Sequence, residues 1–145
     1  MWIIQRILTL PAFSNGIRMI TREVIETMPE IRDVDCGMLN IFLQHTSASI
    51  TINENADPDV QKDIQMALGK IVPNSLPYAH TLEGQDDMPA HIKSSMVGVS
   101  VDIPIGQGRL LLGTWQGIYL CEHRQTSHRR SIVLTVWGKK RNNME

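Results

Sequence analysis

Histidine and carboxylate side chains are concentrated in one short segment of this chain, between His80 and His91. Five of its twelve residues are His, Asp or Glu. Imidazole and carboxylate together suit zinc, iron or manganese, and an acid beside a histidine also suits proton transfer. A solvated acidic loop is the alternative interpretation. The two histidines that enclose the acids favour a site, although their spacing matches no standard zinc module.

A second polar segment, residues 44–49, lies between two predicted strands, where functional side chains are often displayed. The hydroxyl groups of Thr46 and Ser47 can either bind phosphate or cap the backbone, and the sequence leaves both roles open. His45 ends a strongly apolar strand, which makes it a stronger candidate. Farther along the chain, Lys93 lies near the start of a predicted helix, whose free N–H groups favour anions. We expect Lys93 to hold a phosphate, with a solvated surface position as the alternative.

The third segment, residues 113–123, starts with Gly-Thr-Trp-Gln-Gly and ends with Cys-Glu-His. Two glycines this close together indicate a bulge or a close backbone approach. We expect Trp115 to pack in the core. Glu122 follows four apolar residues, so we expect it to point inward, where an acid needs a partner. The polar residues that follow are expected in an exposed hairpin loop: His123, His128, Arg129 and Arg130.

Composition excludes several classes of function. With 14 Lys and Arg against 15 Asp and Glu, the formal net charge is −1, so no global field holds nucleic acid or an anionic membrane. The longest apolar run has four residues, whereas a membrane-spanning helix needs about 20 and a signal peptide about 7–15. Two cysteines without a Cys-x-x-Cys spacing fit a reducing compartment. We therefore expect a cytoplasmic protein that binds neither nucleic acid nor membrane.

Local patterns predict about seven strands and three helices. Asp57 followed by Pro58 is typical of a helix start. The strands lie near both ends of the chain instead of alternating with helices, which favours an α+β fold with a mainly antiparallel sheet. The predicted strands are 2–10, 36–44, 49–53, 99–103, 109–113, 118–123 and 131–137, and the predicted helices are 21–28, 58–71 and 89–96. We expect a single domain over residues 1–138 and a polar tail over 139–145.

Three long motifs carry a resemblance to a known family. They are HTSASITINENADP at residues 45–58, DDMPAHIKSS at 86–95 and GRLLLGTWQG at 108–117. Together they strongly resemble the YjbQ family of small bacterial and archaeal proteins, and the resemblance covers nearly the whole chain. It implies a strongly curved, mainly antiparallel sheet, half-barrel or sandwich-like, with helices packed on one face. It also implies a homotrimer.

The resemblance implies a function as well. Some members of the family are assigned as a secondary thiamine-phosphate synthase, which joins a pyrimidine methyl pyrophosphate to a thiazole phosphate and releases pyrophosphate. The family's histidines fall on His45, His80 and His91, which we expect to converge on a divalent metal ion, with zinc as the first choice. The family's acidic position falls on Glu122.

The candidate site residues form three groups. The predicted metal ligands are His45, His80 and His91; the predicted catalytic residues are Glu122, His45 and Gln116; the predicted substrate-binding residues are Lys93, Thr46, Ser47, Ser95 and Thr114. A metal-dependent phosphate-ester hydrolase is one alternative function. A non-enzymatic trimer that binds a phosphorylated metabolite or a metal is the other.

Overall fold

The computed structural model describes residues 1–142, in which eight strands and three α-helices are formed. The strands are β1 Trp2–Phe13, β2 Gly16–Met19, β3 Val34–Leu43, β4 Ala48–Glu54, β5 Ser100–Gly106, β6 Arg109–Leu110, β7 Gln116–Glu122 and β8 His128–Lys140. The helices are α1 Thr21–Thr27, α2 Pro58–Ile71 and α3 Asp87–Val97, with a short 3-10 helix at Pro29–Asp33.

The strands form two antiparallel sheets that share one core. The larger sheet has the order β1-β8-β3-β5-β6 and the smaller one β2-β7-β4. Buried aliphatic side chains from both sheets form a single cluster, together with Val24 of α1. Helix α3 packs against β4, α2 against β2, and α1 against β1 and β7. The predicted α+β fold with a curved antiparallel sheet and packed helices is confirmed.

The helix boundaries follow their local signals. At the start of α2, the side chain of Asp57 accepts a hydrogen bond from the backbone N–H of Asp59 at 2.9 Å, and Pro58 takes the first helical position. Helix α3 begins at Asp87, two residues before the proline at which the sequence places its start. It ends at Val97 and is followed by Gly98, whose φ of 106° lies in the left-handed region that favours glycine.

Some elements differ from the prediction. Strand β2 is not among the predicted strands; it has only four residues, and the first of them, Gly16, belongs to an Asn-Gly pair, which is typical of a turn. Strand β6 covers only Arg109–Leu110 instead of the predicted 109–113, and residues 111–115 form a loop that departs from the sheet. Trp115 lies in that departing loop and is 66% exposed, so its predicted place in the core is wrong.

The end of the chain is partly inside the sheet. Strand β8 continues to Lys140, so the first residues of the predicted polar tail are paired with β3. Residues 143–145 of that tail lie outside the described part of the chain. Within residues 1–142, no helix combines the length and the apolar character needed to cross a membrane.

Candidate metal centre and neighbouring cavities

Three side chains present possible metal ligands at the start of α3. One ligand atom each from His80, Asp87 and His91 lies within 4.8 Å of the other two. Asp87 and His91 are four residues apart on α3 and therefore share a helix face, while His80 comes from the loop before it. The Oδ2 atom of Asp87 is 2.6 Å from Nε2 of His80 and 3.0 Å from Nε2 of His91. Both rings therefore face the same carboxylate oxygen.

The hydrogen-bond partners of the two ring nitrogens of His91 restrict what can lie between its Nε2 and Oδ2 of Asp87. Its Nδ1 is 2.7 Å from the carbonyl oxygen of Thr46, which only accepts hydrogen bonds, so Nδ1 must carry a proton. In a neutral ring, Nε2 would then turn a lone pair toward the carboxylate of Asp87. Only an imidazolium ring, or a cation between Nε2 and Oδ2, satisfies both contacts. Metal-binding histidines also donate their outer N–H to a carbonyl in this way.

Asp87 is buried but remains a carboxylate. Burial raises its pKa, but hydrogen bonds from His80 and His91 and the charge of Arg124 outweigh that effect, so the net pKa is lowered. The guanidinium of Arg124 donates to Oδ1 of Asp87 at 2.8 Å and to Oδ2 of Asp86 at 3.1 Å. Arg124 therefore fixes one oxygen of Asp87 and leaves the other facing the histidines.

The donor set of this group fits a divalent metal ion. Two imidazole nitrogens and one carboxylate oxygen are ligands that zinc accepts, and three protein ligands leave a fourth position open for water or substrate. The carbonyl of Thr46 orients His91 and the guanidinium of Arg124 orients Asp87, each through the ligand atom that faces away from the candidate metal position. Metal ligands usually have such hydrogen-bond partners. Zinc binding by these residues remains a prediction.

His45, the third histidine expected at the metal, lies outside this group. Its Nε2 accepts a hydrogen bond from the backbone N–H of Ser131 at 2.8 Å, so its Nδ1 carries the proton and is a donor. Burial, and then the positive charge of Arg130, lowers the pKa of His45 and favours the neutral ring. In this arrangement Asp87 supplies the third ligand atom in place of His45.

His45 and His91 nevertheless line the same cavity, which has a volume of about 490 Å³. Thr46 and Ser95, both predicted to bind substrate, line it as well. Its remaining wall includes the apolar side chain of Phe42. Four of the predicted site residues therefore meet at one cavity beside the candidate metal ligands.

Glu122 is buried as predicted, but it is already paired. Its two oxygens accept hydrogen bonds from the guanidinium of Arg130 at 2.7 and 2.6 Å, and one also accepts from the backbone N–H of Arg124 at 3.0 Å. Arg130 further donates to the hydroxyl of Ser47 at 3.0 Å. With both oxygens occupied, this geometry favours a structural role for Glu122 and Ser47 over the predicted catalytic and binding roles.

Thr114 and Gln116 lie far from this region. Gln116 begins β7 and Glu122 ends it, so six residue steps separate them, a distance of roughly 20 Å. The side chain of Gln116 accepts a hydrogen bond from the N–H of Gly113 at 2.7 Å, and Asn55 donates to the carbonyl of Thr114 at 3.1 Å. Within one chain, the structure does not bring these two candidates to the histidines.

Lys93 lies on another side of α3. It follows His91 by two positions, and residues with that spacing face different directions on a helix. Lys93 lines a second cavity, of about 560 Å³, which also includes His123. The phosphate-binding role expected for Lys93 therefore concerns a different cavity from the one at His45.

Sequence reasoning missed the burial of His123 and Arg130. Both were expected in an exposed loop, but they are 6% and 4% exposed. For Arg130 a signal existed, because it precedes Ile132, Leu134 and Val136 at a spacing of two, and all four are buried in β8. Extending this alternation backward predicts that Arg130 points inward. No comparable local pattern marks His123.

Comparison with known proteins agrees with the motifs. A family model described as UPF0047 protein YjbQ-like matches residues 6–139. The UPF0047 protein YjbQ of Salmonella typhimurium is 48% identical over 139 residues, which cover 96% of this chain and 100% of the relative. The protein of the same name from Escherichia coli O157:H7 is 46% identical with the same coverage.

Solved structures show the same fold. An uncharacterized conserved protein of the YjbQ/UPF0047 family from Clostridium acetobutylicum superposes with a TM-score of 0.79 at 40% identity. This match covers 92% of this chain and 99% of the other. A hypothetical protein from Aeropyrum pernix K1 gives a TM-score of 0.84 at 28% identity, covering 94% and 99% of the two chains. The two-sheet architecture is therefore shared with these relatives.

Proposed function

Because this chain belongs to the UPF0047 family of YjbQ-like proteins, we propose that it is an enzyme that acts on a phosphorylated small molecule with the help of a divalent metal ion. His80, Asp87 and His91 would hold the ion. The observation that carries this proposal is the ring of His91, which has an acceptor at each nitrogen, at 2.7 and 3.0 Å. A cation beside Nε2 removes the conflict between the two acceptors.

The charge of the site favours an anionic substrate. Two neutral imidazoles and one carboxylate offset only one of the two charges of a divalent ion. When bound, the ion would supply a Lewis acid for negative charge that develops on a departing phosphate. The chain's own contribution is orientation: Thr46 fixes the ring of His91, and Arg124 fixes the carboxylate of Asp87.

The cavity beside these ligands would hold the substrate. The protonated Nδ1 of His45 and the hydroxyl groups of Thr46 and Ser95 provide hydrogen-bond donors, and Phe42 provides an aromatic wall. We propose a transfer of the thiamine-phosphate synthase type, in which a thiazole phosphate replaces the pyrophosphate of a pyrimidine methyl pyrophosphate. The mixture of donors and an aromatic wall suits a phosphorylated heterocycle.

We further propose a cytoplasmic homotrimer. Both cysteines are free thiols, which fits a reducing compartment. Ile3 and Ile7 on β1 are 61% and 63% exposed, and such apolar side chains are suited to contact with another copy. Light scattering should give three times the mass of the chain, and a mass of one chain would contradict the trimer.

Elemental analysis tests the metal site. Protein purified without chelator or nickel resin should contain close to one zinc ion per chain. His80→Ala and His91→Ala should each lower zinc affinity by roughly tenfold or more, because each removes one ligand. His128→Ala is the matched control, since this histidine bonds only the carbonyl of Thr126 among the described residues, and its zinc content should be unchanged.

The variant His45→Ala separates the two possible ligand sets. If His80, Asp87 and His91 are the ligands, as proposed, it should retain zinc. If His45→Ala lost zinc and His91→Ala retained it, His45 would be a ligand and His91 would not. That result would contradict the proposed ligand set of His80, Asp87 and His91. If the wild-type protein contained no more zinc than His91→Ala, the proposed metal centre would be contradicted.

Product analysis tests the reaction. The wild-type protein supplied with both phosphorylated heterocycles should release pyrophosphate and form the condensed product, and His91→Ala should not. Release of free phosphate from a single substrate would instead identify a hydrolase. Saturable binding without turnover would identify a non-enzymatic binding protein.

A further inference from the structure

The second cavity, of about 560 Å³, is lined mostly by polar residues, with Val72 and Pro73 as an apolar part of its wall. It lies between the end of α2, helix α3 and the segment that connects β7 to β8. The lining residues that bear on its chemistry are Asn15, Gln65, Asp86, Lys93, His123 and Gln125. A polar cavity of this size has room for a small molecule.

His123 places a buried imidazole at the wall of this cavity. Its Nε2 lies 2.8 Å from the hydroxyl of Ser49, and no hydrogen bond within residues 1–142 uses its Nδ1. Burial, and then the charges of Lys93 and Arg130, lowers the pKa of His123 to about 4, so the ring is neutral near pH 7. If the hydroxyl of Ser49 donates to Nε2, then Nδ1 carries the proton. The ring then offers an uncharged N–H.

Lys93 is a half-buried cation that lacks an ion pair in the described part of the chain. The nearest acid at this cavity, Asp86, gives its Oδ2 to the guanidinium of Arg124 and to the backbone N–H of Gln125, at 3.1 and 2.8 Å. Arg124 is shared between Asp86 and Asp87, so the guanidinium, and not Lys93, is the ion-pair partner of Asp86. A cation that is partly buried away from water and forms no ion pair favours the binding of an anion beside it.

We infer that this cavity binds the phosphate group of a small molecule, with Lys93 as the cation and His123 as a neutral hydrogen-bond donor. Phosphate fits better than carboxylate because its additional oxygens can accept hydrogen bonds from both groups and from the side-chain amide of Gln125, whose backbone N–H already donates to Asp86. The site is distinct from the cavity at His45, since Lys93 and His91 face different sides of α3. It therefore does not depend on the proposed metal chemistry.

Titration with inorganic phosphate, followed by ¹H–¹⁵N NMR at pH 7 and constant ionic strength, tests this site. Phosphate should produce saturable shifts at the side-chain amide of Gln125 and at the ring of His123. Lys93→Gln should weaken phosphate binding about tenfold or more, the effect of losing one charge-assisted hydrogen bond. Lys70→Gln removes the same charge from the exposed last turn of α2, outside the cavity, and should leave the affinity unchanged.

Two further arms complete the experiment. His123→Gln should weaken phosphate binding several-fold, and acetate should bind more weakly than phosphate to the wild-type protein. Absence of saturable shifts, equal losses in Lys93→Gln and Lys70→Gln, or equal binding of acetate would each overturn the inference. Failure of this test leaves the zinc content of the wild-type protein unaffected, so it is distinguishable from failure of the proposed function.

Discussion

The two ends of strand β7 carry polar residues in very different surroundings. At one end, Glu122 is 1% exposed and paired with Arg130, and the adjacent His123 is bonded to Ser49. At the other end, Gln116 is exposed and bonds the backbone of its own loop. The partners at the first end, Arg130 and Ser49, are buried, whereas those at the second end, Gly113 and Asn55, are exposed.

This difference shows at which end of β7 the polar groups matter most for the free energy of unfolding. A buried charge is costly unless another charge and several hydrogen bonds compensate it, so removing one partner has a large effect. An exposed polar group can exchange its protein partner for water at little cost. The buried end of β7 also adjoins the ligand group through Arg124, so we expect stability and site geometry to be coupled there.

The largest expected effect is from Arg130→Ala. The substitution leaves the carboxylate of Glu122 buried without its cation, and we expect the free energy of unfolding to fall by about 3–5 kcal/mol. Urea unfolding followed by circular dichroism measures this. The double variant Glu122→Leu with Arg130→Met should recover most of the loss, because it removes both charges. A loss below about 1 kcal/mol for Arg130→Ala would mean that the two ends of β7 are equivalent.

The next effect is the pH dependence caused by His123. Its pKa is lowered from 6.5 to about 4 in the folded protein, so the unfolded chain takes up a proton first as the pH falls. The contribution of His123 to the free energy of unfolding is therefore fully present above pH 6.5. It declines as the pH falls toward 4, by a total on the order of 3 kcal/mol. Urea midpoints across this range measure the slope.

The variant His123→Gln isolates this contribution. It keeps a side chain that can bond Ser49 but cannot titrate, so its stability should change less between pH 6.5 and 4 than that of the wild-type protein. Asp86 and Asp87 also have lowered pKa values, and they contribute equally to both proteins. Identical slopes in the two proteins would rule out His123 as the source.

The smallest expected effect is at the exposed end. Gln116→Ala removes the acceptor of the Gly113 N–H, which water can replace, so the loss should stay below about 1 kcal/mol. The same urea measurement checks it against Arg130→Ala. A loss comparable to that of Arg130→Ala would show that the loop before β7 contributes to the core.

Much of the fold was predictable because its signals are local. The Asp57-Pro58 start of α2 and the end of α3 before Gly98 each depend on residues that adjoin the boundary. The inward position of Glu122 followed from the apolar residues before it. The exposed Trp115 was not predictable in this way, because the sequence does not show that its loop leaves the sheet.

The candidate site was predictable only in part. His80, Asp87 and His91 come from one short segment, and their proximity follows from a loop and one helix turn. The role of His45 depends on the N–H of Ser131, which lies 86 residues away in the chain. Thr114 and Gln116 stand in a long motif, but β7 places them at its opposite end from Glu122.

The amino-acid sequence by itself determined the α+β class, most helix and strand positions and the family, because periodicity, caps and contiguous motifs act over a few residues. Only the tertiary structure decided that His45 is apart from the other two candidate histidines, that Arg130 and His123 are buried, and that Lys93 belongs to a separate cavity. The physical reason is that hydrogen bonds and ion pairs between distant strands set each group's protonation and partners, and those pairings depend on sheet register.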